Sequence, residues 1–292
     1  MPNTINHAIE RTVVFDAGGV AGMAWTTGLV YGLKHEECDI SKAEVLIGSS
    51  LSALLAAQIH SGVSLDKLFS MQVLASTPHS WQSVTSIESY RILELWSQLI
   101  TSDTNSSQEN ILDILLKKHT TFTPLAWKKI ISEHIFMLDW SERALQVVAT
   151  DCESGQLVIF DKLSGVSLLD AIAASSATPG LVDPIKIDGR YYTDGGLHSA
   201  KSIAFAAGAQ KIIIISPMGT AGWPINNKHY SMQVEKLKES GSDVMFITPD
   251  YPSRIEFEDN PFLIQTRAHT AEAGFIQGRK LAEDIKIFWL GR

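Results

Sequence analysis

Glu44-Val45-Leu46-Ile47-Gly48-Ser49-Ser50-Leu51-Ser52-Ala53-Leu54-Leu55 carries a short apolar run into a helical pattern across one glycine and two serines. The run predicts a buried strand over 44–48, and the spacing beyond it predicts a helix over 50–60. Two chemistries fit the junction. Ser49 or Ser50 can cap the helix through its hydroxyl. Alternatively, the turn is a nucleophile elbow, which lifts one side chain clear of the sheet at a helix N-terminus that favours a developing alkoxide. The N–H of Leu51 would then point at the substrate oxygen. Ser50 holds the nucleophile place of G-x-S-x-G and Gly48 the first glycine, while Ser52 stands where the pattern has its last glycine.

Working outward, similar runs predict strands over 12–15, 145–150, 211–216 and 244–247, with more exposed ones over 158–160 and 185–192. Helical patterns fall over 22–35, 65–73, 168–174, 202–207 and about 261–287. Alternating buried strands and helices imply a layered α/β fold with a mostly parallel sheet. The alternation breaks between about 77 and 142. A polar run over 76–80 ends at Trp81, helical stretches cover 87–100, 111–118 and 124–134, and 101–110 holds no apolar residue and reads as a loop. This region is expected to be a helical insertion within a single domain spanning 1–292.

The 292 residues are 45% hydrophobic, enough for a sizeable core, and the formal net charge is −8. An acidic chain gains little from counterion release, which argues against nucleic acid as a partner. Cys38 and Cys152 have no metal-ligand spacing and read as free thiols. The opening MPNTINHAIERTVVF lacks a basic segment followed by an apolar one, so no signal peptide is expected. No apolar run reaches the ~18–20 residues of a membrane span, so lipid contact would be peripheral. The default location is cytoplasmic, with export as an effector left open.

Two further turns carry chemistry. Asp16-Ala17-Gly18-Gly19-Val20-Ala21-Gly22 follows a strand and opens a helix. Glycines there expose backbone N–H groups at a helix N-terminus, which makes an anion site. It nearly matches the dinucleotide fingerprint, but the second strand ends in Gly48-Ser49-Ser50 without the acidic residue that ribose requires. A plain tight turn also remains open. Downstream, Asp188-Gly189 signals a hairpin. Asp194-Gly195-Gly196 then forms a sharp turn, where Asp194 either caps locally or serves as a general base for a serine.

These three motifs, in this order, resemble the patatin-like phospholipase family, in its compact bacterial branch. Ala174-Ser175-Ser176-Ala177-Thr178-Pro179 and the C-terminal Ala271-Glu272-Ala273-Gly274 to Gly278-Arg279 extend the resemblance to nearly the whole chain, most weakly to the insertion. It implies a three-layer α/β sandwich with a mostly parallel central sheet, and a lipid acyl hydrolase (phospholipase A or esterase) with a Ser50–Asp194 dyad. It also implies an oxyanion hole from Gly18, Gly19 and Leu51, and supporting turns at Gly22, Gly48, Ser52, Gly195 and Gly196. No metal or organic cofactor is implied, and a lipid or ester is the expected substrate. Ala17 replaces the family's first glycine, Ala21 stands where Arg or Lys is frequent, and Ser52 replaces the elbow's last glycine. The alternative is therefore a catalytically impaired lipid-binding relative of the same fold. Other classes are a non-catalytic protein-binding module and a dinucleotide binder. His198, the histidine nearest Asp194, would be needed for a Ser–His–Asp triad. Tyr90, Leu93, Trp96 and Ile100 form an apolar stripe that either packs on the body or acts as a lid.

Overall fold

The computed structural model describes residues 9–74, 85–101, 111–137, 139–219, 227–257 and 260–291. The polar run at 76–80 and its Trp81, residues 102–110 of the expected loop, and the first eight residues lie outside them. The strands are β1 (Arg11–Phe15), β2 (Val45–Ser49), β3 (Ala144–Asp151), β4 (Leu157–Phe160), β5 (Ile185–Ile187), β6 (Arg190–Asp194), β7 (Lys211–Ile215) and β8 (Asp243–Ile247). Pairing links them into one sheet along the path β5-β6-β3-β2-β1-β7-β8, with β4 on the other edge of β3. The run β3-β2-β1-β7-β8 is parallel, whereas β4, β5 and β6 pair antiparallel. Strands buried on both faces must be apolar throughout, which is why Ile212 to Ile215 and Val13 to Phe15 are nearly inaccessible.

Helices flank the sheet, giving the expected layered α/β fold. They are α1 (Gly19–His35), α2 (Leu51–His60), α3 (Leu65–Val73), α4 (Ser86–Thr101), α5 (Ile111–Leu116), α6 (Pro124–Ser132), α7 (Leu168–Ser175), α8 (Ser199–Ser202), α9 (Asn227–Glu239), α10 (Tyr251–Glu256) and α11 (Arg267–Leu290). Asp188 and Gly189 both adopt positive φ, 47° and 87°, which makes the β5–β6 hairpin the tight type that Asp-Gly favours.

Several boundaries differ from expectation. The first helix starts at Gly19 instead of residue 22, because Gly22 N–H already bonds Gly18 carbonyl at 2.8 Å. The helix expected over 202–207 is α8 followed by a 3₁₀ turn, Ile203–Ala206. At the C-terminal end, Pro261 to Leu263 stay outside the helix and only Arg267–Leu290 is α-helical. α9 and α10 were not anticipated. α9 is mostly polar, and α10 spans six residues, although Asp250 caps its Ser253 N–H at 3.1 Å. In the insertion, Thr101 belongs to α4 and not to a loop. The buried face of α4 is Ile92, Leu95, Trp96 and Leu99; Tyr90, placed in the expected stripe, is 55% exposed.

α1 and α11 meet backbone to backbone. Gly28 and Gly32 on one helix face Gly274 and Gly278 on the other, and a Cβ on Gly28 would lie 1.9 Å from the Ala271 carbonyl oxygen. Gln277 secures the pair, accepting from Trp25 Nε1 at 3.1 Å and donating to Thr248 carbonyl at 2.8 Å. Gly28→Ala should therefore force the helices apart and cost at least about 1–3 kcal/mol. That loss reads as a lower urea midpoint, and an unchanged midpoint would refute the close approach.

Candidate active site

Sheet register brings two distant turns together. Val148 of β3 pairs with Ser49 of β2 on one side and with Ile159 of β4 on the other. The next residue, Ala149, pairs with Val158 of β4 and with Asp194 of β6. β2 and β6 therefore share one edge of β3, running toward each other and ending there. Ser50 leaves β2 where Asp194 ends β6.

Ser50 has φ 58° and ψ −142°, a strained conformation for a residue with a side chain. The strain is held in place: its N–H donates to Ser175 Oγ at 3.0 Å, and Ser175 Oγ donates to Val148 carbonyl at 2.6 Å. Gly48 allows the tight approach of α2, since a Cβ there would sit 2.5 Å from Ala53 Cα. Ser52 is buried with its hydroxyl unpartnered. Ser50 occupies the cap position of α2 but makes no side-chain cap. Its hydroxyl instead donates to Asp194 Oδ2 at 2.8 Å.

Asp194 does both things that its turn allowed. Oδ1 accepts the Gly196 N–H at 2.8 Å as a local cap, while Oδ2 accepts from Ser50 and, at 2.8 Å, from Thr178 Oγ1. Gly195 must lack a side chain because a Cβ would be 2.2 Å from Val148 carbonyl. Burial pushes the Asp194 carboxyl up to about 6. The Gly196 amide and the Ser50 and Thr178 hydroxyls oppose that rise, and the nearby Asp16 carboxylate adds to it. Thr178 had no assigned role in the sequence; only its place in the Ala-Ser-Ser-Ala-Thr-Pro block set it apart.

The glycine turn opens α1 beside this pair. Gly19 has φ 60°, and a Cβ on it would meet Pro261 carbonyl at 2.5 Å; Gly18 and Gly22 pack on Pro217. The N–H groups of Gly18, Gly19 and Leu51 sit at helix starts, where no intrahelical acceptor exists. Ala21, at the family's frequent cation position, is fully buried and donates its N–H to Pro261 carbonyl at 3.0 Å. That bond ties the turn to the segment after α10. Ala17 packs against Gly196, joining the two turns.

Val20, Leu51, Ile92, Thr178, Leu181, Phe262 and Ile264 line an apolar slot of about 10 Å³. Ser50 and Asp194 are 3% and 1% exposed. His198 touches neither of them; its ring lies near the Gly155 backbone, its Nε2 has no partner, and burial lowers its basicity. No group of three or more metal-ligating side chains occurs among the described residues. No helix of the described residues is long and apolar enough to cross a membrane. Chemically, a strained hydroxyl bonded to a desolvated carboxylate, beside free amides, can deliver a nucleophile and hold an oxyanion.

A family model described as patatin-like phospholipase matches residues 13–206. Among solved structures, VipD from Legionella pneumophila is similar at 13% identity and TM-score 0.45, over 95% of this chain and 67% of that one. The type III effector ExoU is similar at 14% identity and TM-score 0.42, over 96% of this chain and 54% of that one. Full-length SpcU in complex with full-length ExoU, from the type III secretion system of Pseudomonas aeruginosa, gives 15% identity and TM-score 0.40, over 95% and 53%. No curated protein matches this chain.

Proposed function

The chain belongs to the patatin-like phospholipase family, and from that premise we propose that it is a lipid acyl hydrolase working through Ser50 and Asp194. The single observation carrying this reading is the 2.8 Å bond from Ser50 Oγ to the buried Asp194 Oδ2. Ser50 oxygen attacks the ester carbonyl carbon as its proton passes to Asp194. The N–H groups of Gly18, Gly19 and Leu51 hold the resulting oxyanion. Collapse breaks the ester bond, and the leaving alcohol takes the proton from Asp194. Water then attacks the acyl-serine, again giving its proton to Asp194, and the fatty acid departs with Ser50 restored. Thr178 holds the carboxylate toward Ser50 through its second hydrogen bond. The proposed substrate is a lipid or other ester, a lipid being reached by peripheral contact with a membrane, and the steps use no metal or organic cofactor. Residues 1–292 act as one hydrolase unit, with Ile92 of α4 lining the slot.

A slot of about 10 Å³ holds one water and no acyl chain. Substrate entry through this slot, which Leu51 and Thr178 also line, would require Ile92 on α4 or Phe262 to move aside. A fluorophosphonate probe should label Ser50 covalently, displacing fluoride. The labelling rate depends on ionised Asp194, so it should rise with pH, reach half its plateau near pH 6 and fall away below that. Absence of label at Ser50 under any pH would favour the impaired lipid-binding relative.

A further inference from the structure

Asp16 is a buried carboxylate that the proposed mechanism leaves unused. It follows β1 directly and precedes the glycine turn, with no exposed surface. Its Oδ2 accepts from Ser216 Oγ at 2.7 Å, beyond β7, and from the hydroxyl of the buried Tyr230 on α9. Its Oδ1 has no partner. A carboxylate buried among neutral hydroxyl donors is still costly to desolvate, so a purely structural role would be served better by an amide or a hydroxyl. What distinguishes a carboxylate is its charge. The contact between Ala17 and Gly196 brings the Asp16 turn against the Asp194 turn.

We propose that Asp16 is a positioning residue for the reaction, a second buried carboxylate whose charge keeps Asp194 eager for the serine proton. This rests on the reading of Asp194 as the base. Two carboxylates in one water-poor region resist ionising together, and they titrate as a pair. The groups facing Asp16 are Tyr230 from α9, Ser216 beyond β7, Ser199 at the start of α8 and the Ala17 N–H, with no basic side chain among them; Asp194 at the end of β6 feels its charge. Burial raises Asp16, and the hydroxyls of Tyr230 and Ser216 oppose that by bonding the ionised form. Asp194 in turn is raised partly by Asp16. The pair thus tunes a carboxylate toward neutral pH without a histidine.

The test is the pH profile of hydrolysis of a soluble short-chain p-nitrophenyl ester. Asp16→Asn keeps the shape and removes the charge. Its acid limb should move down by about one pH unit, so the rate at pH 5, relative to its own plateau, rises about fivefold. The plateau itself falls several-fold, because a weaker base accepts the proton less readily. Tyr230→Phe keeps the carboxylate but removes a donor to its ionised form. Asp16 then holds its proton to higher pH, and the limb should shift the same way by less. If Asp16→Asn fails to fold, as its circular dichroism would reveal, Tyr230→Phe decides. A limb that stays in place in the folded variants, even with a lower plateau, overturns the proposal and leaves a structural cluster. A wild-type profile without a limb near pH 6 would overturn the Asp194 reading itself, and this inference with it.

Discussion

Ser50→Ala lowers ester hydrolysis by on the order of 10⁴-fold or more, the scale seen when a serine nucleophile is removed from an enzyme of this mechanistic kind. Alanine retains the backbone of the elbow but has no oxygen to attack the carbonyl. Water could still enter and be activated by Asp194, with the amides of Gly18, Gly19 and Leu51 in place, and that sets the residual rate. The fold should persist. Asp194 keeps its bonds from Gly196 and Thr178, and Ser50 N–H keeps Ser175. The measurement is release of p-nitrophenol or fatty acid by matched, folded preparations. A variant as fast as the wild type would remove Ser50 from the chemistry.

Asp194→Asn is the second large loss, on the order of 10²–10⁴-fold, the usual range for removing a general base. The amide matches the carboxylate in shape. Its oxygen can still accept from Gly196, but its NH₂ group faces Ser50 and cannot take a proton. The stability consequence has the opposite sign. A carboxyl raised to about 6 binds its proton more tightly in the folded chain than the unfolded value of 3.8 allows. The wild type therefore loses stability as pH rises from about 4 to about 6, by on the order of 2–3 kcal/mol, and stays at that lower level above. Asn carries no such penalty. The variant should melt at or above the wild-type temperature at pH 8, and the difference should shrink or reverse at pH 4. Lower stability than wild type at pH 8, with activity retained, would mark Asp194 as a structural cap only.

The centre of the sheet was legible because β1, β2 and β7 are buried on both faces and so are nearly apolar along their length, a property local to a few residues. The elbow, the glycine turn and the Asp194 turn were legible for a related reason: glycine and short polar side chains are what a backbone needs to turn sharply. α1 could begin at Gly19, three residues early, because Pro261 from far along the chain accepts its Ala21 N–H. α9 shows little apolar pattern of its own, but it holds Tyr230 inside the protein.

Sequence alone thus determined the layered architecture and nominated Ser50 and Asp194, along with the turns beside them. It could not say whether either side chain caps its own turn or reaches outside it, since both are locally satisfied choices for the same residue. Only the tertiary structure decided that, through the register of β3, which sets the end of β2 against the end of β6. The same holds for Thr178, for Asp16 with Ser216 and Tyr230, and for the glycines that let α1 and α11 touch. Each depends on partners brought from distant segments, and pairing between distant segments is fixed by how the whole core packs, not by any window of the chain.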